Sequence, residues 1–196
     1  DQGSTLIEVD QNMLFFNPKA GFTLDLDRRQ QVYGSFAVAN REPNRNDFVD
    51  ADPGTTPMSE QLFDYELGFR RSTRDYAFTV NAYFMDYINQ LVLTGELNDV
   101  GAPIRSNIAN SYRAGIEAEF GWQITKKLDW RINATYSRNK IAEWTEYVDN
   151  WEDETDRKVV AHENTDIAFS PDWIAGSILR YTHQGIFLSG DKSDRV

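Results

Sequence analysis

Tyr112-Arg113-Ala114-Gly115-Ile116-Glu117-Ala118-Glu119-Phe120-Gly121-Trp122-Gln123-Ile124, then Thr125-Lys126-Lys127, then Leu128-Asp129-Trp130-Arg131-Ile132-Asn133-Ala134-Thr135-Tyr136, is the stretch whose reading decides the fold. Before the Thr-Lys-Lys, Tyr112, Ala114, Ile116, Ala118, Phe120, Trp122 and Ile124 share one parity; Arg113, Glu117, Glu119 and Gln123, with two glycines, share the other. After it, Leu128, Trp130, Ile132, Ala134 and Tyr136 alternate with Asp129, Arg131, Asn133 and Thr135. Period-two patterning predicts two β-strands joined by a tight turn, each with one apolar and one polar face. Each strand is about 10–13 residues long, against about 5–6 for an ordinary globular strand and about 9–11 for one that crosses an outer membrane. The apolar face therefore meets either a protein core or lipid.

The totals narrow the choice. The chain has 196 residues, 40% apolar and 13% aromatic, with no cysteine, so disulfides and thiolate metal sites are excluded. No apolar run is long enough for a spanning helix, but a spanning strand dilutes its hydropathy by alternation, and a mean hydropathy of -0.59 suits a barrel with polar loops and lumen. A net charge of -11 argues against nucleic acid, which needs clustered Lys and Arg. The acidity serves either solubility or attraction of a ligand or cation. The start at Asp1-Gln2-Gly3, without methionine or signal peptide, and the polar end Ser193–Val196 just after a strand has begun, read as those of a segment of a longer protein.

Outward from the hairpin, the chain predicts further strands over about Leu14–Leu26, Gln31–Asn40, Gln61–Arg71, Tyr76 to as far as Thr94, and Asp166–Thr182, with an eighth beginning at Ile186–Leu188. Pro18 marks a bulge or a shift in pairing, since it cannot donate to a ladder. Asp27–Gln30, Ser72–Asp75, Thr125–Lys127 and His183–Gly185 read as short turns. Arg41–Glu60, Gly95–Asn110 and Ala142–Asn164 read as long connections. Short and long alternate, so in a meander all short turns fall at one end of the sheet and all long connections at the other. Outer-membrane barrels have short periplasmic turns and long extracellular loops; a soluble lipocalin-like meander has no reason to sort them. The expected fold is all-β: an antiparallel up-and-down transmembrane barrel segment of about eight strands. The apolar parity then faces lipid, and Glu66, Arg70, Asn81, Arg113, Glu117, Glu119, Gln123, Arg131 and Asn133 face the lumen. Tyr112, Trp122, Trp130, Tyr136, Trp173 and Tyr181 suit interfacial girdles or are ordinary strand aromatics.

Signals of catalysis are sparse. His162 and His183 lie far apart and in no metal-ligand spacing, and no nucleophile, Walker or dinucleotide motif is present. Glu117 and Glu119 share a face about 7 Å apart, a separation that two strand residues set. Such a pair can do acid–base work, but a charged lumen wall accounts for it more simply. The long connections carry more. Trp144, Tyr147, Val148 and Trp151 recur at spacings of three and four, as on one face of a short helix, among seven acidic residues from Glu143 to Asp156. They form an aromatic shelf for ligand, an acidic lip for a cation, or a loop folded onto the rim. Arg41 and Arg45, with Glu42 and Asp47, and Arg105 with Asn107, stand at the same mouth. The fork of an arginine suits anionic or polyoxygenated ligands, and a rim salt-bridge network is the equal alternative.

At these residues a family resemblance enters. Phe16-Asn17-Pro18-Lys19-Ala20-Gly21, Val32-Tyr33-Gly34-Ser35-Phe36-Ala37 leading to Arg41-Glu42-Pro43, Asp64-Tyr65-Glu66-Leu67-Gly68-Phe69, Tyr83–Leu93 and Ser111-Tyr112-Arg113-Ala114-Gly115-Ile116-Glu117 together resemble the barrel of TonB-dependent outer-membrane receptors, in a form like that of Bacteroidetes-type bacteria. Each motif is weak alone; their order and spacing from Asn12 to about Ser189 are fairly specific. The resemblance implies a 22-stranded barrel with a plugged lumen, of which residues 1–196 are a partial β-barrel without the plug domain, the TonB box and the C-terminal strands. Unpaired edge strands are expected of such a piece. It further implies location in the cell outer membrane, no enzymatic activity and no cofactor. Its partners would be outer-membrane lipid, the TonB complex through the plug region, and a scarce large solute: foremost a ferric siderophore or similar metal chelate, then cobalamin or an oligosaccharide. Arg41, Arg45, Arg105, Asn107, Trp144, Tyr147 and Trp151 are the expected ligand-binding residues of the extracellular mouth. The alternatives are a complete eight-stranded outer-membrane barrel with an adhesive or structural role, and an outer-membrane hydrolase using Glu117 or Glu119.

Overall fold

The computed structural model describes residues 12–49, 51, 55–97, 101, 103–148 and 158–183, without the side chains of 94–97, 103, 145–148 and 158–159. Period-two patterning becomes one antiparallel sheet of eight strands: β1 Lys19–Asp27, β2 Gln30–Arg41, β3 Glu60–Ser72, β4 Tyr76–Leu97, β5 Pro103–Thr125, β6 Leu128–Val148, β7 Lys158–Asp166 and β8 Trp173–Tyr181. A single helical turn, α1 Arg45–Val49, follows β2. The strands pair in chain order from β1 to β7, and β8 pairs β6 beside β7. Among the described residues no ladder joins β1 to β7 or β8, so the sheet is open at both edges, unlike an eight-stranded barrel closed on itself.

The hairpin of β5 and β6 takes the expected register. Trp122 faces Trp130, Ala118 faces Ala134 and Ile116 faces Tyr136, while Glu117 faces Thr135 and Glu119 faces Asn133. Cross-strand rows carry the same faces over the sheet: Phe36, Tyr65, Phe84 and Ala114 stand in one row. Their rings touch, with centroids 5.0 Å apart for Phe36–Tyr65 and 6.3 Å for Tyr65–Phe84. Such pairs are the unit of sheet stabilisation. Yet Tyr65 is 46% exposed, Leu67 57% and Ile116 52%. Half exposed, such side chains forgo half of the about 1.5–3 kcal/mol that full burial would give each, and the described residues supply no apolar neighbour that covers this face.

Two glycines on the polar face have a packing reason. A Cβ at Gly68 would lie 2.1 Å from the ring of Tyr33, and one at Gly115 would lie 2.6 Å from both the Tyr83 hydroxyl and the Tyr136 carbonyl oxygen. Each tyrosine lies over a glycine on a neighbouring strand and covers the backbone that a side chain would otherwise cover. At the short-turn end, the Asp27 carboxylate accepts the Arg29 N–H at 2.6 Å and the Gln30 amide at 2.5 Å. These bonds, the first above all, hold its carboxyl below the usual carboxylate range. Thr125 Oγ1 accepts the N–H groups of Lys127 and Leu128 in the same way.

The structure corrects several boundaries. The connections expected over Gly95–Asn110 and Ala142–Asn164 are mostly ladder: β4, β5 and β6 have 22, 23 and 21 residues. At about 3.3 Å per residue they run about 70 Å, more than twice a hydrocarbon core of about 30 Å. Pro103 misled because it reads as a loop, yet proline is tolerated as the first residue of a strand. The helical spacing of Trp144–Val148 is overridden by pairing with β7. The first strand begins at Lys19, leaving Leu14 and Phe16 before it at 98% and 82% exposure. Of the strand expected over Asp166–Thr182 only β8 forms, starting at Trp173 past Phe169, which has a φ of 57°, and Pro171, while β7 arises from the expected connection and ends at Asp166. Both sides of the break between them stay tied to β6, through Ile167 N–H to the Asn139 carbonyl and Ser137 N–H to the Asp172 carbonyl. The strand expected at Ile186–Leu188 lies outside the described residues.

Beyond Ser111↔Ile141 the sheet forks. The β5 segment from Pro103 to Asn110 pairs with β4 alone, and β6 from Glu143 onward pairs with β7 alone. Ile108, Ile141 and Ile167 fill the fork at 2%, 6% and 7% exposure, with Val92 and Trp144 packed on them. This cluster is the apolar core that the chain itself closes.

Gly115→Val should therefore lower stability by about 1–3 kcal/mol, because the added atoms meet backbone that cannot give. Gly121→Val, where a Cβ meets nothing within 4 Å, should stay within about 0.5 kcal/mol of the parent. Thermal unfolding of the full-length protein in detergent checks both; equal midpoints for the two variants would contradict the packing account.

Candidate functional site at the long-loop end

Buried polar groups gather where the long loop 42–59 meets β4 and β5. Arg41 and Glu60 are register partners at the end of the β2–β3 ladder. Their side chains pair at 2.9 Å, and the same Glu60 oxygen accepts the Leu91 N–H at 2.5 Å. The Glu60 side chain is only 11% exposed, while that of Arg41 is 55% exposed. A charged acceptor so enclosed must keep its donors, because losing them strands a buried charge.

The loop leaves β2 through Asn44, whose side-chain oxygen accepts the N–H groups of Asn46 and Asp47 at 2.8 and 3.2 Å. That is an N-cap, and it sets α1. Asp47 returns the contact by accepting the Asn44 N–H at 2.8 Å, the reciprocal arrangement of a capping box. Its other oxygen lies 3.5 Å from Arg105 of β5, and its side chain is 4% exposed. Farther along the loop, Asn107 clamps Met58: its oxygen accepts the Met58 N–H at 2.7 Å, and its amide donates to the Met58 and Asn89 carbonyls at 3.0 and 2.6 Å. Asn89 sits at a φ of 55°, a conformation asparagine tolerates better than most. Below, Ser111 Oγ donates to Gln90 Oε1 at 2.6 Å, fully buried. Loop 42–59 is thus strapped to the β4–β5 arm at two points, Asp47 on Arg105 and Met58 on Asn107.

Of the residues expected at the mouth, the structure brings Arg41, Arg45, Arg105 and Asn107 to this one end. Arg41 and Arg105 are each half-exposed and each face a carboxylate, so both keep guanidinium donors beyond that one contact. Arg45 opens α1, exposed and in no ion pair among the described residues. The Asn107 amide is committed to the loop backbone. Trp144 stands apart on the β6–β7 arm, stacked on His162 at 5.2 Å and packed on the isoleucine cluster. The Tyr147 side chain and Trp151 lie outside the described residues.

Sequence reasoning did not single out Glu60, Asn44, Asn89, Gln90 or Ser111. The Asn44-x-x-Asp47 spacing was a legible cap signal. Glu60 needed the register of β2 on β3, which no local pattern gives. A second buried polar group lies below the fork, where the Asn139 amide donates to Ser137 Oγ at 2.9 Å and Ser137 Oγ donates to the Pro171 carbonyl at 3.3 Å. A shallow cleft of about 580 Å³ over Asp25, Arg29, Gln31 and Arg70 lies at the opposite, short-turn end. Glu117 and Glu119 stand on the polar face with ladder neighbours Asn81 and Thr135, and Thr79 and Asn133, none of which titrates. Among the described residues no cluster of three metal-ligating side chains occurs.

The sequence model of the family described as TonB dependent receptor-like, beta-barrel, matches residues 4–192. No curated protein matches the sequence. Among solved structures, the siderophore receptor PirA from Acinetobacter baumannii is similar at a TM-score of 0.62 and 14% identity, over 86% of this chain and 26% of that one. The ferric enterobactin receptor PfeA in complex with BCV-L6 gives 0.57 and 17%, over 84% and 25%. The copper transporter OprC gives 0.56 and 13%, over 63% and 20%. The chain thus spans between a fifth and about a quarter of the length of these structures, and at such identities the likeness is one of fold.

Glu60→Ala should cost about 1–3 kcal/mol, since it leaves the Leu91 N–H and Arg41 without their shared acceptor. Hydrogen exchange at Leu91 and its neighbours in the full-length protein should accelerate in step. Unchanged exchange there would remove Glu60 from its role as the anchor of the loop.

Proposed function

Because this chain belongs to the TonB-dependent receptor β-barrel family, transporters of the bacterial outer membrane rather than enzymes, we propose that it forms part of the wall and extracellular mouth of a receptor importing a scarce large solute. Foremost among solutes is a ferric siderophore or similar metal chelate. The observation that carries the reading is the polarised sheet. One face is apolar and exposed, and the polar networks and extended arms gather at a single end. The solute class is supported by the siderophore and enterobactin receptors among the similar structures.

In this reading the short turns are periplasmic and the arms extracellular. The solute binds at the mouth and the plug, and energised rearrangement of the plug through the TonB complex releases it inward; no bond is made or broken. Arg45, with the free edges of Arg41 and Arg105, offers donors to an anionic or polyoxygenated chelate. Asn107 acts one step back, by holding the loop that carries Arg45. Trp144, Tyr147 and Trp151 of the other arm complete the proposed set.

In the full-length receptor, Arg41→Gln, Arg45→Gln and Arg105→Gln combined should weaken binding of an anionic ferric chelate by about tenfold or more, mainly through loss of charge-assisted hydrogen bonds. Titration of the purified receptor checks it. Deletion of the gene should abolish growth on that chelate as iron source. A deletion strain with an unaltered profile across iron chelates, cobalamin and glycans would defeat the transport reading.

A further inference from the structure

Among the described residues most cations without an ion pair lie at the short-turn end, where Arg131 and Arg180 share Asp129, although Arg45 at the mouth is unpaired too. At the mouth, Arg41, Arg105 and Lys140 each hold a carboxylate, at 2.9, 3.5 and 2.6 Å. At the short-turn end, Arg28 and Arg29, Arg70, Arg71 and Arg74, and Lys126 and Lys127 enter no ion pair among the described residues. All but Arg71 are exposed. The acids beside them are already engaged. Asp25 accepts the Gln31 amide, Asp27 is taken up by its own turn, and Asp129 holds Arg180 at 2.8 Å. Only Asp75 of these turns stands uncommitted.

These cations ring an aromatic row. Tyr76, Trp122, Trp130 and Leu179 stand side by side across β4, β5, β6 and β8 on the apolar face, beside the turns. Arg71 shares that apolar parity. Its guanidinium lies over the Tyr76 ring at 5.9 Å, and its Nε is buried with no hydrogen-bond partner. Tyrosine and tryptophan settle at the depth of lipid headgroups, so Arg71, Arg74, Lys126 and Lys127 stand in the headgroup layer. We propose that this rim binds the phosphate-bearing headgroups of anionic glycerophospholipids in the leaflet at the short-turn end. The inference rests on the apolar face meeting lipid, and on no solute. Guanidinium forks match phosphate oxygens, and several basic side chains near an anionic surface act together.

Native mass spectrometry of the full-length receptor, loaded with equal phosphatidylglycerol and phosphatidylcholine, tests it. The parent protein should retain phosphatidylglycerol about tenfold over phosphatidylcholine, and the preference should shrink as salt is raised toward about 0.5 M. Arg71→Gln, Arg74→Gln, Lys126→Gln and Lys127→Gln combined should bring retention near parity, while Lys140→Gln, away from the short turns, leaves the preference intact. Should the fourfold variant fold poorly, Arg71→Lys with Arg74→Lys, which keeps the charge, should retain most of the preference. Equal retention by the parent, or an undiminished preference in the fourfold variant, would overturn the proposal. So would displacement of the lipid by millimolar inorganic phosphate, which would make the rim a site for free anions. Uptake of solute can fail or succeed independently of every arm.

Discussion

The constraint on which the rest depends is register. In a sheet whose side chains alternate, a slip of one residue exchanges the faces of a whole strand. Here such a slip of β5 would turn Arg113, Glu117 and Glu119 toward the apolar surroundings of Phe84 and Ile132. An arginine on the lipid face costs about 2–4 kcal/mol at the membrane midplane, a carboxylate somewhat less. Short turns closed by their own side chains, as at Asp27 and Thr125, pin each hairpin before the faces are tested. Tyr33 on Gly68 and Tyr83 on Gly115 add a check from the polar side. A bulky ring fits only where the neighbouring strand has brought a glycine opposite it.

At the mouth the organising elements are two buried carboxylates. Glu60 and Asp47 each hold an arginine and a backbone N–H, and through them the stretch around α1 and the start of β3 are held against the β4–β5 arm. Arginine rather than lysine suits this task. Its planar fork can give one edge to an internal acid and keep another for an incoming group. The same residues can therefore be architectural and receptive, and the two roles offered for Arg41 and Arg105 by their sequence need not compete.

The identity, order and faces of β1 to β6 and the turns at Asp27–Gln30, Ser72–Asp75 and Thr125–Lys127 were legible, because alternation and turn chemistry are local, whereas β7 lay hidden in a stretch that reads as a connection. The reach of β4, β5 and β6 was not legible either. Residues such as Thr94–Leu97, Pro103–Asn110 and Thr145–Val148 alternate poorly and become strand because a partner across the hairpin satisfies their backbone groups. The break at Phe169–Pro171 was visible only as irregularity. The mouth was legible in its residue types, but Asn107 reads as a ligand group in sequence and as a clamp once Met58 is found beside it. Contacts between residues 49 apart in the chain leave no local trace.

The fork at Ser111 and Ile141 gives the mouth a mechanical character. Among the described residues no backbone hydrogen bond joins the two arms beyond the fork, and the isoleucine wedge packs between them. Each arm extends about 23–26 Å beyond the fork, and a tilt of about 5° there moves its tip by about 2 Å. The tips act as long levers on a short, soft pivot. A packing change the size of one methyl group at Ile108, Ile141 or Ile167 is thereby magnified into a change of aperture at the far end of the arms.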